Sequence, residues 1–405
     1  FENAEIAIGD FAFNQCGALQ RVAFAEVTKK AYIGERAFNA CTELTEVVNL
    51  DKFASVGNYA FANTGLKTVV LGEGAVYGEG AFFQSQIVSL TLGENSVFGM
   101  GAFQNCKMLT TVNMPAGGGV HFGTACFAND TSLEEIDASK TDGVIESETF
   151  FGCTSLRSVN LDGVTEVDPY AFADCSALAS VVNAMSVRTI GEGAFARQSE
   201  KGSAPTFRKI ALDSVEEIGM GAFMGNAGLS EITLPATVTK IDGFTFALCV
   251  NLQTVKLPAT VVEIGTYAFR GCENLTSINL GAVKLIGDNA FYGATYFGTA
   301  DLSSAEKLGA GAFSNTLRSG KITANALTEI GDNAFSKTMV ASLTAPNLKR
   351  IGQAAFYKNA YLTDFNFGSA IEYVGPMAFL GCSRLAIFSF GEDKKTDGKI
   401  NDYAF

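Results

Sequence analysis

The sequence predicts a repeat solenoid, and three observations carry the prediction. The phrase Ile-Gly-x-x-Ala-Phe recurs, most plainly at Ile8-Gly9…Ala12-Phe13, Ile33-Gly34…Ala37-Phe38, Ile190-Gly191…Ala194-Phe195, Ile264-Gly265…Ala268-Phe269 and Ile330-Gly331…Ala334-Phe335. Its phenylalanine is also found at Phe61, Phe82, Phe103, Phe127, Phe150, Phe172, Phe223, Phe246, Phe291, Phe313, Phe356, Phe379 and Phe405, with spacings mostly of 21 to 25 residues. Self-similarity at that period marks units that stack. Fixed offsets then follow each Phe: Cys272, Leu275, Ile278 and Leu280 after Phe269, and Cys153, Leu156, Val159 and Leu161 after Phe150.

Each element of the repeat has a local reason. Ile278 and Leu280 alternate with polar neighbours, as a short strand with one buried face does. The Ala-Phe-x-x-Cys segment has the i, i+3 spacing of one helical or 3₁₀ turn. Gly265 follows the isoleucine at a tight corner, where a residue without Cβ strain is expected. One repeat cannot bury these side chains alone, so neighbours must stack and share a continuous core. The strands are expected to pair in parallel, about 4.7–4.9 Å apart.

This pattern resembles the BspA-like leucine-rich repeats, a family of bacterial and protist surface proteins with the consensus Ile-Gly-x-x-Ala-Phe-x-x-Cys-x-x-Leu. The resemblance runs from Ile8 to Phe405. It implies a right-handed superhelix with a parallel β-sheet on the concave face and short helical, 3₁₀ or extended segments elsewhere. Some copies depart from the consensus. Tyr77 stands for the Ile before Phe82, Ile145-Glu146 and Ile241-Asp242 lack the Gly, and Thr149 replaces the Ala before Phe150.

The chain has 405 residues and no linker, low-complexity tract or composition break, so the expectation is one solenoid domain of about 18 repeats spanning 1–405. Phe1 already lies within a repeat and Phe405 stops inside another, which predicts an excised or mature portion whose caps and anchor lie elsewhere. Net charge is −13 and the isoelectric point about 4.7. Nucleic acid and anionic membrane surfaces are disfavoured, since both require basic patches. No apolar run approaches the roughly 20 residues that span a bilayer.

Nine cysteines invite a disulfide reading, but their register argues for thiols. Cys16, Cys41, Cys106, Cys153, Cys175, Cys249, Cys272 and Cys382 all lie three residues after an anchoring Phe, and Cys126 precedes Phe127. Thr64, Ser85, Asn226, Thr316, Thr338 and Asn359 take the same site in other repeats. That interchange suits a small inward group making a local hydrogen bond. Bridges between Cys249 and Cys272, or Cys153 and Cys175, are the alternative. Parallel stacking would hold their Cβ atoms farther apart than the ~3.5–4.5 Å a bridge prefers.

Catalytic constellations are missing. His121, the sole histidine, follows Gly117-Gly118-Gly119 and reads as a loop or edge residue without triad partners. Gly219-Met220-Gly221 and Gly309-Ala310-Gly311 are corner variants and continue into no phosphate-binding motif. Asp242, Asp288 and Asp332 are scattered singly, unlike a calcium loop. Glu134-Glu135 and Glu216-Glu217 are placed on exposed turns. The sequence therefore predicts no enzyme, metal site or cofactor. Two sequons, at Asn129 and Asn274, occur at about chance frequency.

Two features could dock a partner. Outward strand residues form a ladder that includes Thr91, Asn113, Asp137, Asn160, Thr233, Lys256, Asn279, Asp301, Thr323, Thr344, Asn366 and Ser389. An insertion over 196–209 lengthens one repeat to 28 residues and concentrates Arg197, Lys201, Arg208 and Lys209 on an acidic chain. Asn113, Asn160, Lys256, Asn279 and Asn366, with those four cations, are the candidate contacts. Trp is absent, and Tyr59, Tyr170, Tyr267, Tyr292 and Tyr357 sit beside the Phe anchor instead of on the ladder. Sugar stacking is accordingly less favoured than a protein ligand. With the resemblance, these features predict a noncatalytic, secreted or cell-surface adhesin for host or matrix proteins. The alternative is a structural spacer or envelope-layer subunit that assembles through its solenoid ends.

Overall fold

Each coil has three sides, and the repeat around Phe269 shows how the sequence makes them. The first side is the predicted strand: Thr254–Lys256 pairs in parallel with Glu231–Thr233 and with Ser277–Ile278. Val255 is buried while Lys256 faces out, the period-2 alternation read from the sequence. The second side is a further strand, Glu263–Ile264, paired in parallel with Lys240–Ile241 and Leu285–Ile286. This second sheet lies where the sequence suggested only a corner. Its strands are two residues long, too short for alternation to register.

The third side is an arm of successive turns, which corrects the expected helical or 3₁₀ turn. The Ala268 N–H donates to the Gly265 carbonyl and Cys272 N–H to that of Phe269, both three residues back. Between these turns, Tyr267, Phe269 and Gly271 donate forward to Asp288, Ala290 and Tyr292 of the next coil. Two residues on either side of Phe269 are left-handed, Tyr267 at φ 59° and Gly271 at φ 69°. Tyr170 and Asp174 flank Phe172 in the same way. A left-handed non-glycine residue costs roughly 1–2 kcal/mol, which the inter-coil hydrogen bonds and the buried Phe offset. True 3₁₀ segments occur elsewhere, at Leu50–Lys52, Ala138–Lys140 and Ala184–Ser186.

The structure is a computed structural model and describes residues 7–24, 31–197, 207–298, 300–316, 320–389, 399–400 and 404. Two compact units comprise Phe1–Ala211 and Leu212–Phe405. In the first, six parallel two-residue strands run from Ala7–Ile8 to His121–Phe122, and Val144–Ile145, Glu166–Val167 and Thr189–Ile190 pair likewise. The opposing side carries the strands Thr68–Val70, Ser89–Thr91 and Thr111–Asn113, then Glu135–Asp137, Ser158–Asn160 and Ser180–Val182. In the second unit, eight parallel strands run from Lys240–Ile241 to Lys399–Ile400. Its longest strands are Gly320–Thr323, Val340–Ala345 and Asp364–Phe367, followed by Ile387–Ser389.

The core in each unit is a column of phenylalanines, buried from Phe38 onward, while Phe13 in the first described coil is exposed. Rings of Phe13, Phe38, Phe61, Phe82, Phe103, Phe127, Phe150, Phe172 and Phe195 stack with centroids 5.0–5.5 Å apart and nearly parallel planes. The second unit repeats this from Phe223 to Phe379. Cys272, Leu275, Ile278 and Leu280 are buried beside Phe269, as their offsets required. Val283 joins them from the corner before the second sheet.

The motif glycine has a different cause from the one expected. Gly265, Gly287 and Gly331 do not have positive φ; a Cβ on any of them would lie 2.6–2.7 Å from a backbone nitrogen of the preceding coil. Glycine here permits close backbone approach between coils.

Candidate interaction surfaces

The predicted ladder exists, and part of it is occupied by coil-to-coil contacts. Asn113 donates to Thr91 Oγ1 at 3.2 Å, and Asn160 donates to Asp137 at 2.8 Å while accepting from Asn183 at 2.9 Å. Lys256 Nζ pairs with Glu231 at 2.8 Å. Asn279 lies just past its strand and accepts from the Gly281 N–H. Asn366 is exposed, and among the described residues no side-chain hydrogen bond ties it to a neighbour. For Ser389 the backbone alone is described, within Ile387–Ser389. Of the five ladder candidates, Asn366 is thus the one least committed to the solenoid itself.

The insertion does not present its four cations together. Arg197 is only 6% exposed, a correction to its expected place on a solvated basic loop. It lies within the fold two residues past the buried Phe195, near enough to Cys175 to oppose the rise in that thiol's pKa. Arg208 and Lys209 are exposed beside the buried Phe207. Lys201 falls outside the described residues.

A second outward row was not legible in the sequence because its sheet was not. In the second unit Lys240, Glu263, Leu285, Lys307, Glu329, Arg350 and Tyr373 follow one another in register. Lys307 pairs with Glu329 at 2.9 Å, and the Arg350 guanidinium lies 4.3 Å from the centre of the Tyr373 ring. Exposed pairs of this kind contribute little stability. In the first unit the same row reads Tyr32, Ser55, Val76, Val97 and His121, with Tyr32 and Val76 nearly half exposed.

His121 therefore sits on a strand and not in a loop. Its Nδ1 lies 2.8 Å from Asp142 and its Nε2 3.6 Å from Glu146, which also accepts from Thr124 at 3.0 Å. Both ring nitrogens face carboxylates. Glu135 and Glu217 open strands, and Glu134 pairs with Arg157 at 3.4 Å. The scattered corner acids have a structural use: Asp288 and Asp332 each accept from a backbone N–H one coil on, at 2.7 Å. Among the described residues, no group of three or more His, Cys, Asp and Glu side chains could hold a metal ion.

The cysteine column makes the expected local hydrogen bond. Cys153, Cys175, Cys249 and Cys272 each donate to the carbonyl of the Phe one coil back, at 3.1–3.2 Å. Ser85 and Thr316 do the same, which explains the interchange. Burial pushes the Cys249 thiol up to about 12 and that of Cys382 to about 11. Cys16, in the first described coil, is exposed, a correction to its expected burial.

A family model described as BspA type leucine-rich repeat region matches residues 6–134, 75–201, 203–318 and 284–405. Among solved structures, a leucine-rich repeat protein from Bacteroides ovatus is similar, with 24% identity, a TM-score of 0.62, and coverage of 78% of this chain and 82% of that one. One from Eubacterium ventriosum gives 20% identity and a TM-score of 0.42 over 77% and 80%. A leucine-rich cell surface protein from Faecalibacterium prausnitzii gives 21% identity and a TM-score of 0.30 over 96% and 77%. No curated protein matches the chain significantly.

Proposed function

The chain belongs to the BspA-type leucine-rich repeat family, and from that premise we propose that it is a noncatalytic binding protein of the cell surface or secreted space. It captures a host or matrix protein on the outward face of its parallel strands. The carrying observation is the sheet formed by Gly320–Thr323, Val340–Ala345, Asp364–Phe367 and Ile387–Ser389. Elsewhere among the described residues the strands are two or three residues long; here the first three lengthen to four, six and four. Thr323, Thr344 and Asn366 align across adjacent strands on its outer face. Exposed Ile387 lies beside Asp364 at its edge. Such a face offers polar side chains at regular intervals to an extended partner, with apolar area at one margin.

Purified protein tested against immobilised matrix and serum proteins, as wild type and as Thr344→Arg/Asn366→Arg, reads this directly. The double variant is expected to lose binding by at least about tenfold with unchanged melting. A Lys201→Glu/Arg208→Glu variant tests the insertion as the competing contact, through a slower, salt-sensitive association. Equal binding by wild type and the sheet variant would overturn the sheet. Concentration-dependent filaments with no ligand would favour a structural subunit.

A further inference from the structure

Three consecutive turn arms of the second unit differ in size, and the middle one is the smallest. The outer two read Asp288-Asn289-Ala290-Phe291-Tyr292 and Asp332-Asn333-Ala334-Phe335-Ser336; between them runs Ala310-Gly311-Ala312-Phe313-Ser314. The arms are stacked in register, with Asn289 N–H donating to the Ala310 carbonyl and Gly311 N–H to that of Asp332, both at 2.7 Å. With Ala310 and Gly311 in place of Asp and Asn in the middle arm, and serine in place of tyrosine at both Ser314 and Ser336, a notch of about 440 Å³ opens. The buried Ser314 and Ser336 form its floor, Tyr292 and Tyr357 flank those two serines in the same column, and Asn289 and Asn333 also line it. Both tyrosines directly follow their anchoring Phe, so they occupy one column three coils apart, about 14 Å at the spacing of parallel strands.

The lining specifies a chemistry. Asn289, Asn315 and Asn333 offer side-chain amides, each able to donate and accept, which matches hydroxyls that do both. Asp332 and Lys337 bring opposite charges to the same edge, so the notch selects no ion of either sign. A tyrosine presents a flat apolar face with a polar tip, suited to the C–H faces of a sugar ring. The notch is open along its length, unlike the enclosed apolar pocket that buries a small apolar ligand. We propose that it is a carbohydrate site that takes a neutral pyranose oligosaccharide laid across the coils, its ends against Tyr292 and Tyr357. Read along the sequence, the tyrosines fall off the ladder and argue against sugar; in register, two of them bracket one polar notch on another face.

The test uses the whole chain and an array of cello-, xylo-, manno- and malto-hexaose, with titration calorimetry of the strongest response. Tyr292→Ala removes an exposed ring at one end. Ser314→Tyr fills the floor with the residue that the same column carries at Tyr292 and Tyr357. Gly311→Asn puts a second amide there, on a left-handed backbone that Asn289 and Asn333 also adopt, and turns aside the Asn289 side chain, whose Oδ1 would lie 2.4 Å from the new Cβ. Wild type is expected to bind at least one hexaose, and each variant to weaken it by about tenfold or more, Tyr292→Ala at unchanged melting temperature. Failure of wild type to bind any of the four, or equal affinity in wild type and Tyr292→Ala, would overturn the site. Capture of a protein on the strand face involves none of these residues, so the two proposals stand or fall separately.

Discussion

Asp130 occupies the position where other coils carry Cys, Ser, Thr or Asn, and it cannot do what they do while ionised. Cys153, Ser85 and Thr316 donate a hydrogen to the Phe carbonyl one coil back, whereas a carboxylate only accepts. Asp130 is fully buried, and neither carboxyl oxygen has a hydrogen-bond partner in the structure. Burial holds its pKa well above the usual carboxylate range. The titratable groups around it are the thiols of Cys106, Cys126 and Cys153, all themselves raised by burial. The folded chain therefore keeps a proton that the unfolded chain releases first. Stability from this group is complete below the ordinary carboxyl pKa and declines as pH rises toward the folded value, by at most about 1.4 kcal/mol per pH unit for one proton. Asp130→Asn, the residue found at Asn226 and Asn359, is expected to melt progressively higher than wild type as pH rises from 4 to 8. Because the other acids are common to both proteins, the difference between them isolates this site. A difference that stays constant across that range would show that Asp130 is not protonated in the fold.

At the scale of the element, what the sequence reveals depends on how often a position repeats and how long its element runs. The Phe, Cys and Leu offsets were legible because most coils restate them, and they are buried in all the coils between Phe38 and Phe356 that carry them. The second sheet was not, since Glu263–Ile264 and its neighbours have two residues each. The turn arm was misread because i, i+3 spacing is shared by a helical turn and by turns separated by left-handed residues such as Tyr267. Arg197 was misplaced because it follows the buried Phe195 and Ala196 directly and is buried with them, which the length of the insertion does not show. The notch at Gly311 needed three coils in register, although the shrinkage from Asp288-Asn289 to Ala310-Gly311 was visible in the letters. The motif glycine offers the sharpest test of this element-level account. A Cβ on Gly287 would meet the Thr266 nitrogen at 2.7 Å and the Gly265 carbonyl carbon at 2.8 Å, both backbone atoms that cannot rotate away. Gly17 would meet nothing closer than Thr42 Oγ1 at 3.8 Å. Gly287→Ala should therefore cost about 1–3 kcal/mol or more, as overpacking does, while Gly17→Ala stays within about 0.5 kcal/mol. Denaturant unfolding of the two variants measures both, and equal effects would return the glycine to a role in corner flexibility.

For the molecule as a whole, stability has to be built coil by coil, because each repeat touches only its neighbours. Phe269 illustrates the coupling. Its ring is fully buried, 5.3 Å from the rings of both Phe246 and Phe291, and its N–H is hydrogen-bonded to Ala290 at 2.7 Å. Phe269→Ala removes both stacking partners' shared contact and leaves a cavity worth about 3–5 kcal/mol. In a globular core that loss would be felt everywhere at once. In a stack with nearest-neighbour coupling it should weaken protection most at the flanking coils and fade with distance along the chain. Native-state hydrogen exchange reads this residue by residue. The Phe246 and Phe291 amides, each bonded to the following coil, are expected to lose most protection. Amides around the Phe61–Phe82–Phe103 stack of the first unit should exchange as in wild type, and thermal unfolding should broaden or divide. A uniform loss of protection from one end to the other would mean that the chain unfolds as a single cooperative body, and the solenoid account of its stability would have to be given up.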